Sequence, residues 1–199
     1  MKLVLAEKPS VAMSLSKVIG ANQRGDGYME GNGYLVSWCV GHLVELSQPE
    51  AYDEKYKRWS LTTLPFLPKE WKYEVISSVK KQFQIVSSLL NRPDVTCIYV
   101  CTDSGREGEY IYRLVEQMAG VKNKERRRVW IDSQTEEEIL RGIREAKDLS
   151  AYDNLSHSAY LRAKEDYLMG INFSRLLTLQ YGRAVSNFQN SKYTVISVG

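Results

Sequence analysis

Seven consecutive residues, Asp103-Ser104-Gly105-Arg106-Glu107-Gly108-Glu109, contain three carboxylates, one guanidinium and two glycines. Carboxylates at this density are hard oxygen donors suited to a cation such as Mg²⁺, and Arg106 adds a planar fork that can pair with phosphate. An acidic helix start is also favoured by the helix dipole alone, so a merely solvated helix terminus would use the same residues. The segment is not a phosphate-binding loop, because the GxxxxGK(S/T) spacing is absent. A second set, Glu7-Lys8-Pro9-Ser10, joins an acid able to bind metal or move a proton to an ammonium able to hold phosphate. A solvated loop would carry that pair equally well. His42 lies in Gly41-His42-Leu43, and Arg162 and Asp166, four apart, share a helix face. Their plain alternatives are a satisfied strand-end histidine and a surface ion pair of little worth. Lys164 and Arg175 are weaker candidates for phosphate contact.

These side chains need a scaffold, and the pattern predicts an α/β one. Lys2 to Ala6 is expected to be a buried strand, followed by a helix from Pro9 with the stripe Val11, Leu15, Val18 and Ile19 and a stop at Gly20. Tyr34 to Val40 is a second expected strand, entered through Gly31-Asn32-Gly33. From Glu45 to Trp71 the prolines predict extended, looping chain, with Tyr52, Tyr56, Trp59, Phe66 and Trp71 serving as packing or as base-stacking surfaces. A helix is expected from about Ser78 to Leu90, then a central parallel strand at Thr96 to Val100 and a polar turn at Thr102 to Gly108. A helix through Ile111, Leu114, Val115 and Met118 follows, then a short strand at Arg128 to Ile131. Ser133 with Glu136 suggests a capping box for a helix reaching about Ala146. Alternation of strands and helices implies an open, mostly parallel sheet flanked by helices on both faces. Sites in such sheets lie at the carboxyl ends of the strands, where Glu7 and Asp103 both fall. From Ala151 to about Leu179 the chain becomes one long helical stretch, so a boundary is expected near residues 148 to 153. The basic run Lys122 to Arg128, five Lys or Arg in seven positions, is expected to be a solvated loop.

Composition sets outer limits. With 43% hydrophobic and 26% charged residues over 199, the chain has a globular balance. A net charge of +3 suits a polyanionic partner without arguing for one. No apolar run approaches a membrane span, and no signal peptide is evident at MKLVLAEKPS. Cys39, Cys97 and Cys101 sit among apolar residues without zinc-site spacing, which suits reduced thiols in the cytoplasm. The apolar end, Tyr193 to Val198, suggests a cut through a larger protein.

AEKPS, WCVGHL, TDSGREGE, RVWIDSQTEEEI and LRAKEDYLMGINFSR, in this order from residue 1 to at least Arg175, resemble the N-terminal region of type IA DNA topoisomerases, most closely the topoisomerase III branch. The resemblance implies a Toprim domain over residues 1 to about 150, followed by the incomplete start of a helical domain, 151 to 199, that grips single-stranded DNA. It implies Mg²⁺ as cofactor, single-stranded or underwound DNA as partner, and no nucleotide cofactor. Glu7 matches the glutamate that assists cleavage and rejoining, and Lys8 the lysine on the scissile phosphate. Glu7, Asp103 and Glu107 are the implied metal ligands; Lys8, His42, Arg106, Arg162 and Asp166 are the implied DNA contacts. Gly105 stands where the family's Asp-x-Asp-x-Glu motif has its middle aspartate, so another ligand must come from water, backbone, Glu109 or Glu7. None of the 13 tyrosines lies in the family's nucleophile motif, so the chain is expected not to cut and reseal DNA by itself.

Overall fold

A computed structural model describes residues 1–198. In chain order the elements are β1 (Lys2–Ala6), α1 (Pro9–Ile19), β2 (Gln23–Arg24), β3 (Tyr28–Gly31), β4 (Tyr34–Trp38), β5 (Val44–Leu46) and β6 (Tyr73–Val75). They continue with α2 (Lys80–Leu90), β7 (Cys97–Cys101), α3 (Arg106–Ala119), β8 (Glu125–Arg128), α4 (Glu136–Arg144), β9 (Lys147–Asp148) and α5 (Asp153–Phe188). The main sheet has seven strands in the order β2-β3-β4-β1-β7-β8-β9. Its centre, β4-β1-β7-β8, is parallel, and the strands added at either edge run antiparallel. This is the expected α/β class: an open, mostly parallel sheet flanked by helices.

Connectivity decides where a site can form. From β1 the chain moves to β4 on one side, and from β7 to β8 on the other. Right-handed crossovers therefore put α1 and α3 on opposite faces, opening a crevice at the carboxyl ends of β1 and β7. Burial agrees with this geometry. Val4, Ala6, Val36 and Cys101 pack with Ala12, Leu15 and Ile19 of α1 and Ile139 of α4. The alternate residues Leu3, Leu5, Ile98 and Val100 are fully buried as well, as a sheet covered on both faces requires.

Several boundaries differ from expectation. The strand expected at Arg128 to Ile131 lies at Glu125–Arg128, so the basic run is largely sheet rather than solvated loop. Thr135, not Ser133, caps α4, its hydroxyl accepting from the Glu138 amide. The expected loop from Glu45 contains three 3-10 turns, at Pro49–Ala51, Glu54–Tyr56 and Leu61–Thr63, flanked by the ribbon β5-β6. The central strand is Cys97–Cys101, one residue later than expected, and the final helix runs on to Phe188.

The chain divides into two compact units, each made of two separate stretches of sequence. One unit comprises Met1–Glu45 with Glu74–Ala159; the other comprises residues 46–73 with the chain from Tyr160 onward. In the second unit Phe66, 1% exposed, is met edge-on by the rings of Tyr52, Tyr56 and Tyr167. Asn172 fixes it further, accepting from the Phe66 amide at 2.6 Å and donating to its carbonyl at 3.0 Å. The aromatic side chains of that segment thus serve as packing.

Candidate functional site at the strand ends

The parallel register sets Ala6 beside Cys101, so β1 and β7 end level and release Glu7 and Thr102-Asp103 side by side. Glu7 is 6% exposed, and its Oε2 accepts from the Asp103 amide at 3.1 Å. On its other side, the Cys39 amide donates to Ala6 O at 2.8 Å and the Gly41 amide to Glu7 O at 3.2 Å. Gly41 takes φ 81°, a left-handed turn that favours glycine, and this turn delivers His42. His42 Nε2 pairs with Glu107 Oε1, and its ring stands edge-on to Tyr110. Lys8 Nζ lies 3.2 Å from Asp103 Oδ2 and 3.7 Å from Glu7 Oε1. The hydrogen bond and charge of Asp103, then the charge of Glu7, hold the Lys8 ammonium above its ordinary pKa. Glu7, Lys8, His42, Asp103 and Glu107, separated by up to 100 positions in the chain, thus converge in one crevice. Arg106 is exposed at the first position of α3.

The acidic turn is fastened from behind. Thr102 Oγ1 donates to Gly108 O at 2.7 Å, and a Cβ at position 108 would stand only 2.1 Å from Asp103 O. Only glycine lets the first turn of α3 close on the strand end. Ser104 Oγ donates to Ile131 O at 2.8 Å and accepts from the Ile131 amide at 3.1 Å. Beside it opens a cavity of about 500 Å³ whose lining includes Val11, Asp103, Asp132, Ser133 and Gln134. Two of the three thiols are inert, since burial pushes Cys39 and Cys101 up to about 12.

Among the described residues no group of three or more His, Cys, Asp or Glu is arranged to hold a metal ion. Glu109, offered by the sequence as a substitute ligand, is fully buried and ion-paired to Arg113 at 2.8 Å and Arg128 at 2.9 Å. That excludes it. Glu107 faces His42. Glu7 and Asp103 nevertheless flank one positive charge already, the half-exposed Lys8 ammonium. Two carboxylates fit Mg²⁺, which keeps most of its waters and takes phosphate oxygens rather than an all-protein cage. The residues therefore fit a cation completed by water and substrate.

The sequence that builds this crevice matches the family model of the Toprim domain over residues 2–133. The chain belongs to the Toprim domain family. Toprim domains in general bind divalent metal. The chain is 45% identical over 185 residues to DNA topoisomerase 3 of Shouchella clausii, covering 93% of this chain and 25% of that protein. It is 45% identical over 179 residues to DNA topoisomerase 3 of Bacillus anthracis (90% and 24%) and 42% over 184 residues to that of Bacillus subtilis (92% and 25%). It thus spans about a quarter of the length of these relatives.

Outside the Toprim match, Arg162 and Asp166 are both exposed and form an ion pair of 2.8 Å on α5, in the second unit. Arg175 is not a surface phosphate contact: it is 4% exposed, donates to Tyr56 O at 2.8 Å and lies against the Trp59 ring. Lys164 stands over Trp71, 5.2 Å from the ring centroid. In the basic run, Arg126 pairs with Glu116 at 3.0 Å, Arg127 with Glu125, and Arg128 is completely buried. Sequence reasoning missed the Glu109–Arg128 pair and the cavity lined by Asp132. The signals available were slight: Glu109 and Arg113 at helical spacing, and Arg128 immediately before the apolar Val129. Among the described residues no helix is long and apolar enough to cross a membrane.

Proposed function

We propose that this chain is the N-terminal part of a type IA DNA topoisomerase of the topoisomerase III branch, an ATP-independent isomerase of the cytoplasm. The parent breaks one strand of underwound DNA, passes another through the gap, and rejoins the break. The observation that carries this reading is the convergence of Glu7, Lys8 and Asp103 at the switch-point crevice of a Toprim sheet.

In this reading the nucleophilic tyrosine lies outside these residues; its hydroxyl yields its proton to water as its oxygen attacks phosphorus and the bond to the 3′ oxygen breaks, and it is reprotonated on rejoining. Glu7 gives the departing 3′ oxygen its proton and takes it back on rejoining. Burial beside the Asp103 amide holds the Glu7 carboxyl in one orientation for both directions. Lys8 has a half-exposed side chain and can turn from Asp103 to a phosphate oxygen. Asp103 and Glu7, joined by Glu107 on its release from His42, would hold Mg²⁺. When bound, the ion supplies positive charge that keeps the broken ends in place for rejoining. His42, Arg106, Arg162 and Asp166 contact the single strand, the two arginines through its phosphates.

The test is Glu7→Ala in the full-length parent, assayed on negatively supercoiled plasmid. The variant is expected to bind single strands as the parent does while losing about two orders of magnitude in relaxation rate, as removal of a proton-transfer group does. Unchanged relaxation would remove Glu7 from the chemistry.

A further inference from the structure

Among the fully buried side chains the largest is a charged one, Arg128. Each of its three guanidinium nitrogens has a partner. Nε donates to Glu109 Oε2 at 2.9 Å, Nη1 to the carbonyls of Val100, Thr102 and Val129 at 3.1, 2.8 and 3.1 Å, and Nη2 to Asp103 O at 2.8 Å. A charged pair at this depth is an expensive way to fill a core, since apolar residues of similar volume generally serve stability as well or better. Burial pushes the Arg128 pKa down, opposed by the Glu109 carboxylate.

What the guanidinium holds suggests why it is there. Three of its four carbonyls belong to the end of β7 and the turn that follows. β8 stops at Arg128 and β1 at Ala6, so beyond Cys101 no strand ladder remains to fix that backbone. Asp103 is therefore gripped on both sides of its Cα: Glu7 accepts from its amide and Arg128 donates to its carbonyl. Glu109 sits in the first turn of α3, two residues beyond Glu107, so the same guanidinium also references the helix start. Lysine could not replace it, having one compact charge and no planar fork.

We propose that Arg128 is a positioning residue: with Glu109 it sets Asp103 and Glu107 against Glu7, and its requirement is for reaction geometry beyond what folding needs. This rests on the function proposed above. The experiment compares Arg128→Lys with Leu90→Ala, a core cavity on α2, in the full-length parent. Both variants are assayed well below their melting temperatures. Arg128→Lys is expected to slow DNA rejoining about a hundredfold, the scale of a small misplacement of reacting groups, with single-strand affinity unchanged. Leu90→Ala is expected to rejoin at the parental rate. Equal rates for the two variants would overturn the proposal, and so would a loss confined to DNA affinity. If Arg128→Lys fails to fold, Glu109→Gln, which keeps the shape and weakens the anchor, is read by the same criteria. Failure of the unaltered parent to relax DNA would count against the proposed function instead. The inference then stands on the backbone amide resonances of Asp103, Ser104 and Gly105 in the present chain. These are expected to broaden in Arg128→Lys and not in Leu90→Ala, and sharp, unmoved signals in both would overturn it.

Discussion

Gly105 and Gly108 are three positions apart and opposite in what they tolerate. A Cβ at 105 meets no heavy atom within 4 Å and the backbone there is extended, whereas a Cβ at 108 would collide with the Asp103 carbonyl. Gly108→Ala is therefore expected to destabilise the protein by about 1–3 kcal/mol, an overpacking cost, measured as a lowered urea midpoint. Gly105→Asp, which supplies the carboxylate missing from the acidic motif, should leave that midpoint in place. It should also tighten Mg²⁺ or Mn²⁺ binding in calorimetry. A folded Gly105→Asp protein with weaker metal binding would mean that the open space beside the turn is not where the cation sits. Residues with similar sequence signals separate here by environment. Of the three carboxylates in the motif, Asp103 meets Lys8, Glu107 meets His42, and Glu109 is locked between two arginines.

At the level of elements, apolar patterning located the strands and helices with buried faces. β1, α1, β4, α2, β7 and α3 all fall within a few residues of expectation. β8 was expected three residues late, at Arg128 to Ile131, because Glu125-Arg126-Arg127-Arg128 carries no apolar alternation; its place in the sheet rests on parallel backbone pairing with β7, from Cys97 opposite Glu125 to Val100 opposite Arg128. The short β2, β5, β6 and β9 were likewise hidden, each being two or three residues whose pairing depends on distant chain. The cap of α4 shows how two candidates compete locally. Ser133 and Thr135 each precede a glutamate at the right spacing, but the hydroxyl of Thr135 accepts from the Glu138 amide. Thr135→Ala should cost about 1 kcal/mol in urea unfolding while Ser133→Ala costs little. The reverse order would restore the cap expected from sequence. Of the candidate site, the acids and Lys8 were legible because they sit where strands end; their fastening by Arg128 was not, since a buried ion pair leaves no periodic trace.

For the whole molecule, net charge is a poor guide to partner because so many cations are committed internally. Arg113, Arg126, Arg127, Arg128 and Arg141 all pair with carboxylates. The strand order is the better guide: it opens one crevice and puts Glu7 and Asp103 at its edge. The proposed role of this crevice is reversible breakage of a single DNA strand. The most direct measurement incubates the full-length parent with negatively supercoiled plasmid, with and without Mg²⁺, and traps the products with denaturant. Mg²⁺-dependent relaxation is expected, with protein attached to the 5′ end of the broken strand. Nicked or linear DNA with no attached protein would contradict the proposed role and mark a nuclease, and no reaction under either condition would contradict it as well.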